Sequence, residues 1–253
     1  MRAMTTLATC EREFEMPVIT FANAKGGAGK TTAALILATE LAAQGYRVTI
    51  LDADPQRWIT SWYDQSGSQP NISVISEVSM ASIQGHIREN GAQTDYFVID
   101  LAGARDALVA TAIGLSDHVF IPIQGCAMDA KGGAQILELL KQLRERAGIT
   151  INHSVVLTRM SAMVTTRAIT AIKALLAERG VAVLDTPIAE RTAFRDIFDC
   201  GGTLRSMDDS KASNLDKARE NAKAFALEVL KLVPARSRPS SSRSLPGLLR
   251  RAA

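Results

Sequence analysis

Apolar positions along the chain alternate between two patterns. Short, near-continuous runs of β-branched and aromatic residues occur at 18–22, 47–52, 96–100, 118–123, 154–159 and 181–184, with a weaker one at 72–75. Runs of this length and composition read as strands buried on both faces. Between them lie stretches with apolar residues three and four apart, at 31–44, 107–116, 128–146 and 165–178, which read as amphipathic helices. In 128–146 the stripe is Ile136, Leu139, Leu140 and Leu143. Shorter helices are expected at 56–64 and 81–89, and a long final one at 211–232, while 186–195 reads as a loop. Strand and helix alternate from end to end, which predicts an α/β fold: a doubly wound, mostly parallel sheet flanked by helices.

The first strand and the first helix are joined by Asn23-Ala24-Lys25-Gly26-Gly27-Ala28-Gly29-Lys30-Thr31-Thr32. Glycines at 26, 27 and 29 remove Cβ atoms, so successive backbone N–H groups can converge on an anion at the start of the helix. A lysine and a threonine at that point are the groups that reach the β- and γ-phosphates and hold Mg²⁺ in a P-loop NTPase. The strict pattern asks for glycine where Ala24 stands. Its place is taken, one residue on, by a second lysine, Lys25.

Two further strands end in acids. The second runs into Asp52-Ala53-Asp54-Pro55-Gln56, and the 96–100 run ends at Asp100. Carboxylates at the carboxyl ends of parallel strands lie on the rim where open α/β sheets bind ligands. Asp100 has the setting of a Walker B acid, which holds Mg²⁺ through its water shell.

These blocks together resemble the deviant Walker A, ParA/MinD family of P-loop ATPases, and the resemblance runs from about Pro17 to Leu232. It implies that ATP and Mg²⁺ are the cofactors and that Lys25, Gly26, Gly27, Ala28, Gly29, Lys30, Thr31 and Thr32 bind the nucleotide. It also implies that Thr31, Asp52 and Asp100 serve the metal and that Asp54 positions the attacking water. Lys25, the signature lysine, would reach the phosphates of a partner subunit in an ATP-bound homodimer, which makes Lys25, Lys30 and Asp54 the catalytic set. Pro187 is the expected adenine contact, with Thr158 and Arg159 as further base-recognition candidates. The segment Leu101-Ala102-Gly103-Ala104 departs from the Thr-Pro-Pro usual in the family. The expected function is that of a ParA-type partition ATPase whose dimer binds DNA non-specifically and answers to a ParB-like centromere-binding protein. The alternative is a MinD-like membrane-cycling or cargo- or conjugation-positioning ATPase.

Charge and composition narrow these choices. The net charge of the 253 residues is +3, but Arg236, Arg238, Arg243, Arg250 and Arg251 carry +5 with no acid after Pro234, leaving −2 on the rest. The tail, 234–253, is rich in Ser and Pro and is expected to be disordered, as is 1–16, with Met16 a possible true start. Arg191, Arg195, Arg205, Arg219 and the tail arginines are candidate DNA phosphate contacts. Pro246-Gly247 breaks the last apolar stretch, which argues against a membrane helix. Cys10, Cys126 and Cys200 are scattered, which argues against a disulfide framework and against the cluster-ligating pattern of a nitrogenase iron protein relative, and points to a reducing cytoplasm; association with the nucleoid is what the family resemblance implies. His118 and His153, at the edges of apolar runs, read as ordinary hydrogen-bonded residues, and Trp58, Trp62 and Tyr63 as core.

Overall fold

The computed structural model describes residues 15–103, 106–124, 127–160, 166–209 and 213–236. The expected strands and helices are present, most with ends shifted by a residue or two, and the last helix begins at Leu215, four residues later than expected. In chain order they are β1 (Val18–Phe21), α1 (Lys30–Ala43), β2 (Val48–Ala53), α2 (Trp58–Ser66), β3 (Ile72–Ile75), α3 (Ile83–Asn90), β4 (Tyr96–Leu101) and α4 (Ala107–Gly114). There follow β5 (His118–Gln124), α5 (Ala127–Ala147), β6 (Asn152–Thr158), α6 (Thr166–Glu178), β7 (Ala182–Val183), α7 (Ala193–Cys200) and α8 (Leu215–Leu232). The strands form one seven-stranded sheet in the order β3-β2-β4-β1-β5-β6-β7, and every pairing is parallel.

Successive strand residues serve opposite faces. Ile19, Phe21, Tyr96, Val98 and Phe120 join a core under α1, α7 and α8, whereas Val18, Phe97, Ile99, Val119 and Ile121 join a second core on the other face. Helix α1 is buried over most of its length, because it lies between the sheet and α8. From β1 the chain turns out to β2 on one side, and after β4 it crosses back to β5 on the other. The carboxyl end of β1 therefore sits at the point where strand order reverses, the place where open α/β sheets hold their ligands.

The loop expected across 186–195 is instead followed by α7, which begins at Ala193. Its helical period is carried by Ala193, Phe194 and Ile197, all buried, and it stops at Gly201-Gly202, both with positive φ (69° and 71°). Trp62 binds this turn through its indole N–H to the Gly202 carbonyl (2.8 Å). Two boundaries also move outward. Met16 packs against the second core, and Arg236 forms an ion pair with Asp117 at 2.5 Å, whose other oxygen accepts the Val18 N–H. Both lie just beyond the expected domain, and burial of a thioether and a half-buried ion pair keep them with it. The rest of those ends, with Cys10, Cys126 and the arginines beyond 236, lies outside the described residues.

His118 stacks on Phe120 and shares a hydrogen bond with Ser154 Oγ (3.1 Å), and His153 bonds the Ile151 carbonyl (3.1 Å). Burial, aided by the nearby His153, pushes the His118 imidazole down to about 4. The unfolded chain takes up that proton near pH 6.5 and the folded one does not until about 4, so stability falls as pH drops through this window. Denaturant titrations should show His118→Gln losing about 1–3 kcal/mol less than the wild type between pH 7 and pH 4.5.

Candidate active site

The loop between β1 and α1 is held from behind by three side chains. Asn23, 1% exposed, donates from Nδ2 to the Pro122 carbonyl (2.6 Å) and accepts the Lys25 N–H on Oδ1 (2.8 Å). Gln124 Nε2 donates to the Gly27 carbonyl (2.5 Å), and Thr158 Oγ1 to the Ala28 carbonyl (2.7 Å). Drawing those carbonyls toward β5 and β6 turns the following N–H groups the other way, because the peptide unit is planar and trans. Gly27 and Gly29 take φ of 77° and 92°, a region that strains residues with a Cβ. Helix α1 starts without a side-chain cap, so its first N–H groups remain for an anion.

Lys30, 5% exposed, rests its ammonium on the Lys25 carbonyl at 3.2 Å. Asp52 and Asp100 are buried beside each other as register partners on β2 and β4. Asp52 spends one oxygen on the Thr60 N–H and hydroxyl (2.8 and 2.6 Å). Its other oxygen has no hydrogen-bond partner, and Asp100 has none of good geometry, with only the Thr31 hydroxyl at hand. Burial raises Asp100 to about 8 and the Asp52 charge adds to this, while the Thr31 hydroxyl and Lys30 pull the other way. Burial likewise lowers Lys30, against the attraction of Asp100 and Asp54. Buried carboxylate oxygens next to a hydroxyl are the hard-oxygen donor set that suits Mg²⁺. Among the described residues no three His, Cys, Asp or Glu side chains cluster to cage a metal alone.

A cleft of about 730 Å³ opens over these groups, lined by the loop, Asp54, Pro55, Gln56, Trp58, Gly103, Arg159 and Arg195 among others. A narrower pocket branches from it, sharing Gly29, Thr32, Arg159 and Arg195 and walled by Thr158, Ile188–Arg191 and Phe194. The sequence profile of the VirC1 protein family matches residues 16–233. The chain belongs to the VirC1 family. It is 41% identical to Protein ParA of Rhizobium radiobacter over 216 residues, covering 85% of this chain and 97% of that one. Protein virC1 of Rhizobium rhizogenes is 29% identical over 184 residues, 71% of this chain and 79% of the relative. Among solved structures, an McdA variant of Cyanothece in complex with ATP superposes with a TM-score of 0.66 at 18% identity, over 85% of this chain and 97% of that one. The fold is that of the ParA/MinD-type P-loop ATPases.

In this VirC1-family chain the loop, Lys30, Thr31, Asp52, Asp54 and Asp100 lie together at the carboxyl ends of β1, β2 and β4, and Lys25 stands at the loop's start, half-buried. Other candidates do not join them. Pro187 lines neither cavity; its carbonyl accepts from Asn221 Nδ2 (2.8 Å), and the pocket wall is made by the residues after it. Arg205 pairs with Glu40, itself 2% exposed, at 2.7 Å. Arg219 binds Asp209, Asp216 and the carbonyls of Leu204 and Met207. Both guanidiniums tie α8 and the segment before it to the fold. Arg191 and Arg195 sit at the cavities rather than on a remote surface. Trp62 is core, but Trp58 is 54% exposed and faces the cleft, because α2 begins at that residue and its first turn overhangs the rim.

Four positioning residues carry no signal in the sequence. Asn221 and Glu228 on α8, about two turns apart, hold the 185–189 segment: Glu228 accepts the N–H groups of Asp185 and Thr186, and Asn221 accepts that of Ala189. Gly103 and Gly132 allow close approach to the loop. A Cβ on Gly132 would collide with Asn23 Oδ1, and one on Gly103 would meet the Gly26 nitrogen at 2.7 Å. The departure Leu101-Ala102-Gly103 thus has a steric role. Gly103→Ala must push the Lys25-Gly26 backbone aside, and isothermal titration with Mg-ATP should show at least a tenfold loss of affinity with the fold intact by circular dichroism.

Proposed function

We propose that this chain is a ParA-type partition ATPase, cycling between a nucleotide-free form and an ATP-bound homodimer that holds DNA non-specifically. The observation that carries the reading is the set of carboxylate oxygens of Asp52 and Asp100 left without a well-formed hydrogen bond, buried beside Lys30 and the glycine loop. Such groups are costly unless a cation completes them. The similarity to Protein ParA supports partition as the setting.

In the proposed mechanism the N–H groups of residues 26–32 bind the phosphate chain, and Lys30 sits between its β- and γ-phosphates. The Thr31 hydroxyl and the Asp100 carboxylate would hold Mg²⁺, with Asp52 beside them in support. When bound, the ion neutralises charge on the phosphate oxygens. Asp54, half-buried on the rim with Oδ1 receiving the Gln56 N–H (2.9 Å), orients the attacking water. Lys25 completes the positive charge on a partner's γ-phosphate, so hydrolysis is slow and waits on dimerisation. A ParB-like protein would speed that step. DNA phosphates are met by arginines of the ATP dimer and of the tail, on the cytoplasmic nucleoid. Among the described residues no helix is long and apolar enough to cross a membrane.

The direct test is retention of random duplex DNA on a filter: binding should require ATP and fall steeply with salt, and no retention at low salt with ATP present overturns the DNA reading. Lys30→Ala should abolish nucleotide binding. Asp54→Ala should keep ATP, run as a dimer in size-exclusion chromatography and turn over about a hundredfold more slowly; undiminished turnover removes Asp54 from the catalytic set.

A further inference from the structure

We propose that Asn23 and Gly132 are positioning residues for Lys25: together they set the direction in which that lysine leaves the phosphate loop, and through it they govern hydrolysis at the other subunit's site. The inference rests on the ATP-dimer reading above. Helix α5 carries two adjacent glycines, Gly132 and Gly133, inside its Ala127–Ala147 span, and both are buried. Glycine weakens a helix interior relative to alanine, so a pair of them there points to a close approach that a methyl group would block. Gly133 makes room for β5, since a Cβ on it would meet Ile123 Cδ1 at 2.7 Å. Gly132 makes room for the loop instead. A Cβ there would collide with Asn23 Oδ1 and would stand 2.9 Å from Lys25 Cβ and 3.0 Å from the Lys25 nitrogen.

Asn23 holds the same point from the sheet. Its Nδ2 donates to the Pro122 carbonyl on β5, its Oδ1 accepts the Lys25 N–H, and its burial leaves it little room to turn. Strand β5, Asn23 and α5 thus bound a slot around the Lys25 backbone nitrogen and Cβ. Backbone and Cβ restrict the rotamers open to a side chain, so the slot decides where the ammonium can point. The phosphate-binding N–H groups begin one residue later and bear on a different neighbour: an added Cβ on Gly103 would meet the Gly26 nitrogen first. Bulk at Gly132 therefore redirects Lys25 while the cradle keeps its donors. In the proposed two-fold dimer each ATP site combines its own Asp54 with the Lys25 of the other protomer, so a misdirected Lys25 is felt in the opposite site.

The test is trans-complementation of ATP hydrolysis, with the proteins mixed before ATP and Mg²⁺ are added. Gly132→Ala alone should bind ATP within about threefold of the wild type yet hydrolyse it about tenfold more slowly or worse. Mixed in equal amounts with Asp54→Ala, it should regain about a quarter of the wild-type rate, because half the dimers are mixed and one of the two sites in each has both an intact Asp54 and a well-directed Lys25. Damage confined to the variant's own loop would show no such rescue, since the intact Asp54 then lies in the damaged subunit. Asn23→Ala, which removes the side chain without adding bulk, should give the same pattern and keeps the test open if Gly132→Ala does not fold. Lys25→Ala mixed with Asp54→Ala is the control. Rescue in the control without rescue of Gly132→Ala or Asn23→Ala overturns this inference alone, as does wild-type turnover in those variants or ATP affinity that falls in step with their rate. No rescue in the control overturns the trans role of Lys25 and takes this inference with it.

Discussion

Two carboxylates buried shoulder to shoulder on neighbouring strands are the constraint around which the rest of this structure is arranged. Asp52 and Asp100 share a register position, with little solvent and only Thr60 as a hydrogen-bond donor to Asp52. Holding such groups out of water costs several kcal/mol per ion unless they are completed. Lys30 offsets part of this from within the fold. The remainder is a standing demand for a cation, and the loop opposite offers N–H groups for the anion that would bring it.

The surrounding elements keep that demand in place. Asn23, Gln124 and Thr158 draw the loop back onto β5 and β6, so its shape does not depend on a ligand. Gly103 and Gly132 let the β4–α4 turn and α5 press on the backbone at Lys25 and Gly26. On the far side, α8 grips the 185–189 segment, and α7 joins that segment to α2 through the contacts of Trp62 and Ser66 with Gly202. Phosphate loop, acids and narrow pocket thus rest on a single packed frame.

The sheet, its helices and the phosphate-metal groups were legible in the sequence because they follow from short-range pattern. Strand runs such as 96–100 are continuous and bulky, and Lys25 to Thr32 sit between a strand and a helix where only one chemistry fits. What could not be read depends on contacts far apart in the chain. Arg205 and Arg219 look like any exposed arginines until Glu40, Asp209 and the 204–207 carbonyls are seen to engage them. Trp58 and Trp62 are spaced for one helix face, yet the helix begins at Trp58, which leaves that ring on the rim. Helix α7 is short and charged between its apolar residues, so Phe194 and Ile197 did not stand out from a loop. The steric duty of Gly103 appears only when the phosphate loop is folded against it.

Thermal unfolding of the wild type and of Asp100→Asn, each alone, with ATP and with Mg-ATP, tests most directly whether the buried acids await a metal-bound nucleotide. Asp100→Asn alone should be at least as stable as the wild type, because burial already keeps the Asp100 carboxyl protonated up to about pH 8 and the amide adds no charge, and Mg²⁺ should add stabilisation beyond ATP only in the wild type. An Asp100→Asn protein that is less stable alone yet gains as much from Mg-ATP as the wild type would contradict this account.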